Sequence, residues 1–166
     1  MLVKDVMTTD IRVAREDMSI REVAAIMCFN KISGMPVVDN EKHVIGIISE
    51  KDVLHAMYPD MNQVMNQGRP DFESMERDYK DVISYKVSDV MSKPAFTARP
   101  NDPVMKAVSI MCVKKIRRIA IADDDGLLIG ILSMGDVHKA IFQSSIMGVD
   151  VTQDNVAATL HQKNSA

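Results

Sequence analysis

The sequence is poor in aromatic residues and has no concentrated block of charge of either sign. The 166 residues contain no tryptophan, aromatic residues make up 4% of the chain, and the net charge is −3. Duplex nucleic acid is bound by clustered lysine and arginine, and a membrane span needs roughly 20 apolar residues in a row. Neither pattern is present. We therefore expect neither nucleic acid nor a membrane as a partner, and the absence of a signal-peptide pattern predicts a cytoplasmic location.

Cysteine is also scarce, and the residues that usually carry catalysis or bind metal show no suitable spacing. Cys28 and Cys112 each follow a methionine in an apolar helical pattern, which predicts two buried thiols in a reducing compartment. The four histidines have no ligand spacing that indicates a metal site. No Ser-His-Asp or Cys-His arrangement and no phosphate-binding glycine-rich loop can be identified. We therefore expect a protein without enzyme activity and without a bound metal.

One unit of sequence occurs twice, at an offset of 84 residues. The motif Val-x-Asp-Val-Met at residues 3–7 returns at 87–91, and Gly-x-x-Ser-x-x-Asp at 46–52 returns at 130–136. When residues 3–57 are aligned with 87–141, 19 of 55 positions are identical and no gap is needed. A repeat of this length indicates two copies of one structural unit. Such copies are expected to pack as a pseudo-twofold pair that binds its ligand between them.

Each repeat predicts a strand, a helix, two strands and a final helix, which gives an α/β (α+β) fold class. In the first repeat we expect a short extended stretch at 11–13 and a helix that starts at a Ser19–Glu22 capping box and ends near Gly34. Strands at 35–39 and 44–49 and a helix at 50–57 follow. In the second repeat, Asp102 and Pro103 are predicted as N-cap and first residue of the helix. Residues 123–126 are the predicted hairpin turn.

These elements divide the chain into four segments. The first repeat is assigned to residues 1–57, a helical linker to 58–85, the second repeat to 86–142 and a polar tail to 143–166. Within the linker, 71–84 has a helical pattern, and a weak helix is predicted near 155–160 in the tail. The linker is interpreted either as a spacer packed on the outside or as an arm that docks a partner or a second copy.

The duplicated Gly-x-x-Ser-x-x-Asp motif is the most specific chemical feature. It places Ser49 and Asp52, and again Ser133 and Asp136, where a strand ends and a helix begins. Serine and aspartate at such a position stabilise a helix start without any ligand. Two copies at one offset, each linked to an upstream Asp-Val-Met, instead favour a binding site.

Three motifs together resemble the cystathionine β-synthase domain family, the CBS domains. They are Val-x-Asp-Val-Met, the segment Ile-Ser-Gly-Met-Pro-Val-Val-Asp at 32–39, and the Gly-x-x-Ser-x-x-Asp endings, and the resemblance covers roughly 2–57 and 86–142. It implies two β-α-β-β-α units in a stand-alone CBS pair, with two clefts that bind adenosine nucleotides. In the family the aspartate accepts hydrogen bonds from the ribose hydroxyls, as an acceptor-only carboxylate can. The serine contacts ribose or phosphate.

The resemblance assigns candidate ligand-binding residues to each cleft. Cleft one is expected to contain Ser133, Asp136, Met7, Arg12, Ile32, Ser33 and Met35. Cleft two is expected to contain Ser49, Asp52, Met91, Phe96, Ile116, Arg117 and Arg118. Lys115, Arg117 and Arg118 are expected to form a basic edge of cleft two. This edge either binds phosphates through paired donors or is a solvated turn. The second repeat has Ala120 where the first has Pro36, so we expect that strand to enter cleft two differently.

The resemblance implies a regulatory module that senses AMP, ADP or ATP and carries no cofactor other than this ligand. The final helices at 50–57 and 136–142 are the candidate surface of a homodimer, and the regulated partner is unknown. Two alternatives remain. The chain is a protein-interaction scaffold with empty clefts, or its clefts bind S-adenosylmethionine or a cyclic dinucleotide.

Overall fold

The two repeats fold into the same succession of elements. In this computed structural model, residues 1–56 and 81–146 are described. The first repeat comprises β1 (Ala14–Arg15), α1 (Ile20–Asn30), β2 (Gly34–Val38), β3 (Val44–Ser49) and α2 (Glu50–His55). The second comprises a short helix α3 (Val87–Val90), β4 (Thr97–Ala98), α4 (Val104–Lys114), β5 (Arg118–Ala122), β6 (Leu128–Ser133) and α5 (Met134–Ile146). The predicted β-α-β-β-α unit is confirmed in both copies. Most of the predicted linker and most of the tail lie outside the described residues.

Each repeat forms one three-stranded sheet with the same topology. The strand orders are β1-β2-β3 and β4-β5-β6, and in each sheet the first pair is parallel and the second antiparallel. Pro36 pairs with Ile47, and Ala120 pairs with Ile131 at the equivalent position. The expectation that Ala120 changes the entry of its strand is therefore wrong. The strand is held by the same register in both repeats.

Several predicted boundaries move by a few residues, for local reasons. The first strand begins at Ala14 rather than at residue 11, because Ala14 is the residue that is fully buried and paired with Val37. Helix α1 ends before Gly34, since Lys31 takes a left-handed conformation with φ 52° and its N–H bonds to the carbonyls of Cys28 and Met27. Gly34 instead opens β2.

The starts of the two long helices differ. Ser19 caps α1 as predicted: its N–H donates to Glu22 Oε2 at 2.8 Å, and its side chain accepts from the Glu22 N–H at 3.3 Å. In α4 the N-cap is Pro103 and not Asp102. The carboxylate of Asp102 accepts from the Arg99 N–H and the Lys106 ammonium instead.

Both cysteines are exposed, which corrects the prediction of buried thiols. Helix α1 buries Ile20, Val23 and Met27, and Cys28 lies one residue beyond this stripe. A step of one residue turns the side chain about 100° around a helix axis, so the methionine is buried and the cysteine faces solvent. Cys112 follows the buried Met111 in the same way.

The opening segment of each repeat packs on the core of the other repeat. Val3 is fully buried among second-repeat residues that include Ile119 and Leu132. Val87 is fully buried among first-repeat residues that include Ile20. Backbone hydrogen bonds follow the same exchange, from Val3 N to Asp102 O and from Val87 N to Met18 O, both at 2.9 Å. The two hydrophobic cores are therefore built from both repeats.

Just after these segments, the chain crosses between the sheets at two equivalent places. Thr8 pairs with Ile131, and Ser92, its equivalent at an offset of 84, pairs with Ile47.

Among the helices of the described residues, none is both long enough and apolar enough to span a bilayer.

Candidate functional site

The two Ser-Asp motifs form the same capping arrangement at the ends of β3 and β6. Asp52 Oδ2 accepts hydrogen bonds from the Ser49 N–H at 2.8 Å and from the Ser49 hydroxyl. Asp136 Oδ2 accepts from the Ser133 N–H at 3.2 Å and from the Ser133 hydroxyl at 2.5 Å. Both carboxylates are half-buried. Capping thus uses one oxygen of each carboxylate and leaves the other, Oδ1, for a second partner.

A cavity of about 340 Å³ lies between the repeats on the side of Asp136. From the residues predicted for cleft one, it brings together Ser133, Asp136, Arg12, Ile32 and Ser33. Within the described part of the chain, Asp136 Oδ1 accepts no hydrogen bond. The cavity therefore offers one carboxylate oxygen that is open to a ligand hydroxyl.

Two residues predicted for cleft one do not line this cavity. Met35 is fully buried in the core of the first repeat, opposite Ile48 in the sheet. Met7 packs across the repeats against Gly130, where an added Cβ would lie 2.7 Å from the Met7 sulfur. Gly130 lacks a side chain and so lets this methionine lie on the strand.

Arg118 lies in cleft one, although the sequence-based assignment placed it in cleft two. It lines the cavity together with Asp136, and it donates to the Ser33 carbonyl at 2.7 Å through Nη1 and to the Ser33 hydroxyl at 2.6 Å through Nη2. The reason is the neighbouring Gly34. A Cβ on Gly34 would lie 2.4 Å from Arg118 Nη1, so only glycine leaves room for the guanidinium there.

The guanidinium of Arg118 is a partly desolvated cation. Its burial lowers the pKa of Arg118, and the nearby positive charge of Arg117 acts in the same direction. The carboxylates of Glu50 and Asp136 raise the pKa and so oppose these effects. Because an arginine remains protonated under all ordinary conditions, the result is a fixed positive charge in the lining of the cavity.

The cavity is also lined by polar residues that were not predicted from the sequence. Thr8, Asp10 and Lys31 are among them. Arg12 is oriented by hydrogen bonding to Asn30 at 3.0 Å and by an ion pair with Asp10 at 3.6 Å. Two sequence signals for these residues existed: Thr8 directly follows the Val-x-Asp-Val-Met motif, and Lys31 directly precedes the Ile-Ser-Gly segment.

Cleft two differs from cleft one in what its residues contact. Asp52 Oδ1 accepts a hydrogen bond from the Ser92 hydroxyl at 2.8 Å, which joins the two repeats. Met91 is 8% exposed and packs against Gly46. The remaining residues predicted for this cleft are Phe96, Ile116 and Arg117. Phe96 and Ile116 pack against the second core, the ammonium of Lys114 lies 4.6 Å from the Phe96 ring, and Arg117 is exposed.

No group of three or more histidine, cysteine, aspartate or glutamate side chains suited to a metal ion occurs in 1–56 or 81–146. The side chains around the cavity instead combine two carboxylates, of Asp136 and of Asp10, with the cations of Arg12, Lys31 and Arg118. Ile11, Ile32 and Ile131 add apolar surface. Such a surface fits a ligand with hydroxyls, negative charge and an apolar ring.

Comparison with known proteins gives consistent results. The sequence is 32% identical over 155 residues to protein MJ1426 of Methanocaldococcus jannaschii, an alignment that covers 85% of this chain and 91% of that protein. It is 23% identical to the chloroplastic CBS domain-containing protein CBSX1 of Arabidopsis thaliana, over 81% of this chain and 60% of that protein. The chain thus spans less than two thirds of CBSX1.

Among solved structures, the fold resembles CBSX2 in complex with AMP, with a TM-score of 0.67 and 26% identity. The match covers 87% of this chain and 98% of the crystallised CBSX2 chain. The sequence profile of the CBS domain matches residues 3–59 and 87–143, which are the two repeats. The chain therefore belongs to the CBS domain family, with two CBS domains packed as a pair.

Proposed function

We propose that this chain is a regulatory module that binds an adenosine nucleotide in cleft one. The observation that carries the proposal is the open Oδ1 of Asp136, which faces a cavity that also contains the guanidinium of Arg118. A carboxylate oxygen accepts hydrogen bonds from the two neighbouring hydroxyls of a ribose, and an arginine binds phosphate through paired donors. A nucleotide carries both groups on one sugar.

The apolar wall of cleft one provides the place for the base. Ile32 and Ile11 line the cavity from the first repeat. Burial of a flat ring against aliphatic side chains is favourable and needs no charged partner. In this arrangement the ribose lies at Asp136 and the base toward the first repeat.

The cations give the cavity its preference for a phosphorylated ligand. Arg118 already uses one N–H of each terminal nitrogen on Ser33. Since a guanidinium has five N–H donors, three remain for a phosphate. Lys31 and Arg12 also line the cavity and are available to the further phosphates of ADP or ATP.

Ligand binding in this cleft would change how the two repeats are arranged relative to each other. Ser133 and Asp136 come from the second repeat, whereas Ile32 and Ser33 come from the first. A bound nucleotide therefore stabilises the arrangement of the pair that fits it best, and it shifts the population only by its differential affinity. This mode of action requires no catalysis by the chain and presupposes a regulated protein, whose identity is unknown.

The proposal includes a homodimer formed through the final helices. Leu54 on α2 is 54% exposed, and Ile141 and Phe142 on α5 are 41% and 58% exposed. Apolar side chains on the closing helices of both repeats are typical of a surface covered by another chain.

A cytoplasmic location is part of the proposal, since Cys28 and Cys112 are free, exposed thiols that a reducing compartment preserves.

Isothermal titration calorimetry with AMP, ADP and ATP tests the proposed function. We expect saturable heat and a matching rise in melting temperature, because a ligand that binds only the folded state stabilises it. 2′-Deoxy-AMP is the matched control for the diol, and its affinity should be about tenfold lower, since one charge-assisted hydrogen bond is lost.

Adenosine tests the contribution of the phosphate. Absence of heat and of thermal stabilisation with all three nucleotides at millimolar concentration would contradict the proposal and favour a scaffold with empty clefts. Tight binding of S-adenosylmethionine or a cyclic dinucleotide, without binding of AMP, would show that the cleft is a binding site for a ligand other than an adenosine nucleotide of the AMP type.

A further inference from the structure

The two clefts carry the same carboxylate in the same capping arrangement, but only one carboxylate is open. Asp52 and Asp136 are equivalent residues, and each uses Oδ2 to accept the N–H and hydroxyl of its own serine. The second oxygen distinguishes them. Asp52 Oδ1 accepts the hydroxyl of Ser92 at 2.8 Å, whereas Asp136 Oδ1 accepts no hydrogen bond from the described residues.

The difference arises at one pair of equivalent side chains. Thr8 and Ser92 have equivalent backbone pairing: Thr8 exchanges two hydrogen bonds with Ile131 at 2.9 and 3.0 Å, and Ser92 exchanges two with Ile47 at 2.9 and 3.2 Å. The backbone therefore brings each residue to the same side of the other repeat as its aspartate: Ser92 contacts Asp52, and Thr8 lines the cavity that also contains Asp136. Of the two, only Ser92 donates to its aspartate.

The distribution of positive charge follows the same asymmetry. Arg118 extends from the second repeat onto Ser33 in cleft one. Its equivalent in the first repeat is Gly34, which has no side chain to extend into cleft two. Cleft one thus has an open acceptor and a guanidinium in its lining. Cleft two has an occupied acceptor, and a glycine stands at the position equivalent to Arg118.

We propose that Ser92 closes cleft two to nucleotides, so that each chain binds one nucleotide, in cleft one. This inference rests on the proposed function. The Ser92 hydroxyl occupies one of the two acceptor positions of Asp52 Oδ1. A ribose diol needs both positions for its two hydroxyls, so it must displace Ser92. Because a hydrogen bond to a charged acceptor is worth a factor of about ten to a hundred in binding, the preference for cleft one is at least about tenfold.

Calorimetric titration of AMP into three matched proteins tests the inference. In the wild type we expect one equivalent of AMP per chain. Asp136→Asn should lower the affinity at least tenfold, and Asp52→Asn should leave it within about twofold of wild type. The two variants are matched, because in each the asparagine still has one side-chain oxygen to accept the hydrogen bonds of its serine. Their melting temperatures without ligand show whether both remain folded.

A double variant tests the role of Ser92 directly. In the Asp136→Asn background, Ser92→Ala frees Asp52 Oδ1 and should restore AMP affinity about tenfold relative to Asp136→Asn alone. No recovery in this variant would overturn the role of Ser92.

Two equivalents of AMP in the wild type, with equal losses from Asp52→Asn and Asp136→Asn, would overturn the inference while the proposed function stands. A larger loss from Asp52→Asn than from Asp136→Asn would overturn it as well. Absence of binding by the wild type to every adenosine compound would contradict the proposed function and the inference together.

Discussion

Arg118 and Gly34 occupy equivalent positions of the two repeats, and the guanidinium of Arg118 rests against Gly34. A Cβ on residue 34 would lie 2.4 Å from Arg118 Nη1 and 2.9 Å from the Ile48 carbonyl oxygen. The second of these atoms belongs to the backbone of the neighbouring strand and cannot move independently. The absence of a side chain at 34 is therefore what allows a cation of the second repeat to enter cleft one.

Gly34→Ala should destabilise the protein and displace Arg118. We expect a loss of about 1–3 kcal/mol in the free energy of unfolding, as for other overpacked sites. Urea denaturation measures this loss. Gly135→Ala is the matched control, because a Cβ there would meet only Ser133 Oγ at 3.6 Å, an ordinary contact. Gly135 lies in the first turn of α5, where alanine is also the better helix former.

The double variant Gly34→Ala, Arg118→Ala separates the two close contacts of the added methyl group, with Arg118 and with the Ile48 carbonyl oxygen. Removal of the guanidinium relieves one contact and leaves the one with Ile48, so partial recovery is expected. Full stability of Gly34→Ala alone would contradict the close packing of these two residues.

Sequence patterns predicted the repeated unit, and they did so because its signals are local. The Ser19–Glu22 capping box, the strand Val44–Ser49 and the hairpin turn at 123–126 each depend on residues within a few positions of one another. The helix end at Lys31 was missed, since a lysine in the left-handed region carries no sequence signal comparable to glycine.

Contacts between distant residues were not predictable from the pattern. Arg118 and Ser33 are 85 positions apart, and Ser92 and Asp52 are 40 positions apart. The alignment of repeats identified the equivalent positions, but the direction of a long side chain depends on the space left by its neighbours. The absence of a side chain at Gly34 directs Arg118 into cleft one, so the two clefts differ more than their shared motifs indicate.

Ser19→Ala should weaken the start of α1. The serine side chain accepts the Glu22 N–H, and the Glu22 carboxylate accepts the Ser19 N–H. Loss of an N-cap of this kind costs about 1 kcal/mol in the free energy of unfolding. Ser109→Ala is the control, because Ser109 lies within α4, is exposed and bonds only to the Met105 carbonyl. Equal stability of the two variants in urea would argue against the capping box.

Asp102 should make stability depend on pH in the acidic range. Its hydrogen bond with the Lys106 ammonium lowers the pKa of Asp102 below the ordinary value of 3.8, and the N–H of Arg99 acts in the same direction. A carboxyl whose pKa is lower in the folded state stabilises the protein above the unfolded pKa. This contribution is lost as the pH falls through the folded pKa.

Asp102→Asn should therefore cost about 0.5–1 kcal/mol at pH 7, where the charged hydrogen bonds are present. The difference from wild type should shrink as the pH falls below 3.8. Urea denaturation at pH 7, 4 and 2.5 measures it. Asp124→Asn is the control, since this fully exposed side chain has only a 3.4 Å ion pair with Arg99. A constant difference at all three pH values would contradict the assignment of the effect to the charge of Asp102.

Val3→Ala should destabilise the second repeat, although Val3 belongs to the first. Its side chain is fully buried in the second core, and removal of two methyl groups there should cost about 2 kcal/mol. Val13→Ala is the control, because Val13 is 38% exposed and its loss leaves no internal cavity. Hydrogen exchange locates the effect: amides of α4 should exchange faster in Val3→Ala, since the Val104 N–H donates to the Met1 carbonyl in this segment. If exchange instead accelerates first in α1, the opening segment stabilises its own repeat. This result would contradict the finding that the opening segment of each repeat packs on the core of the other.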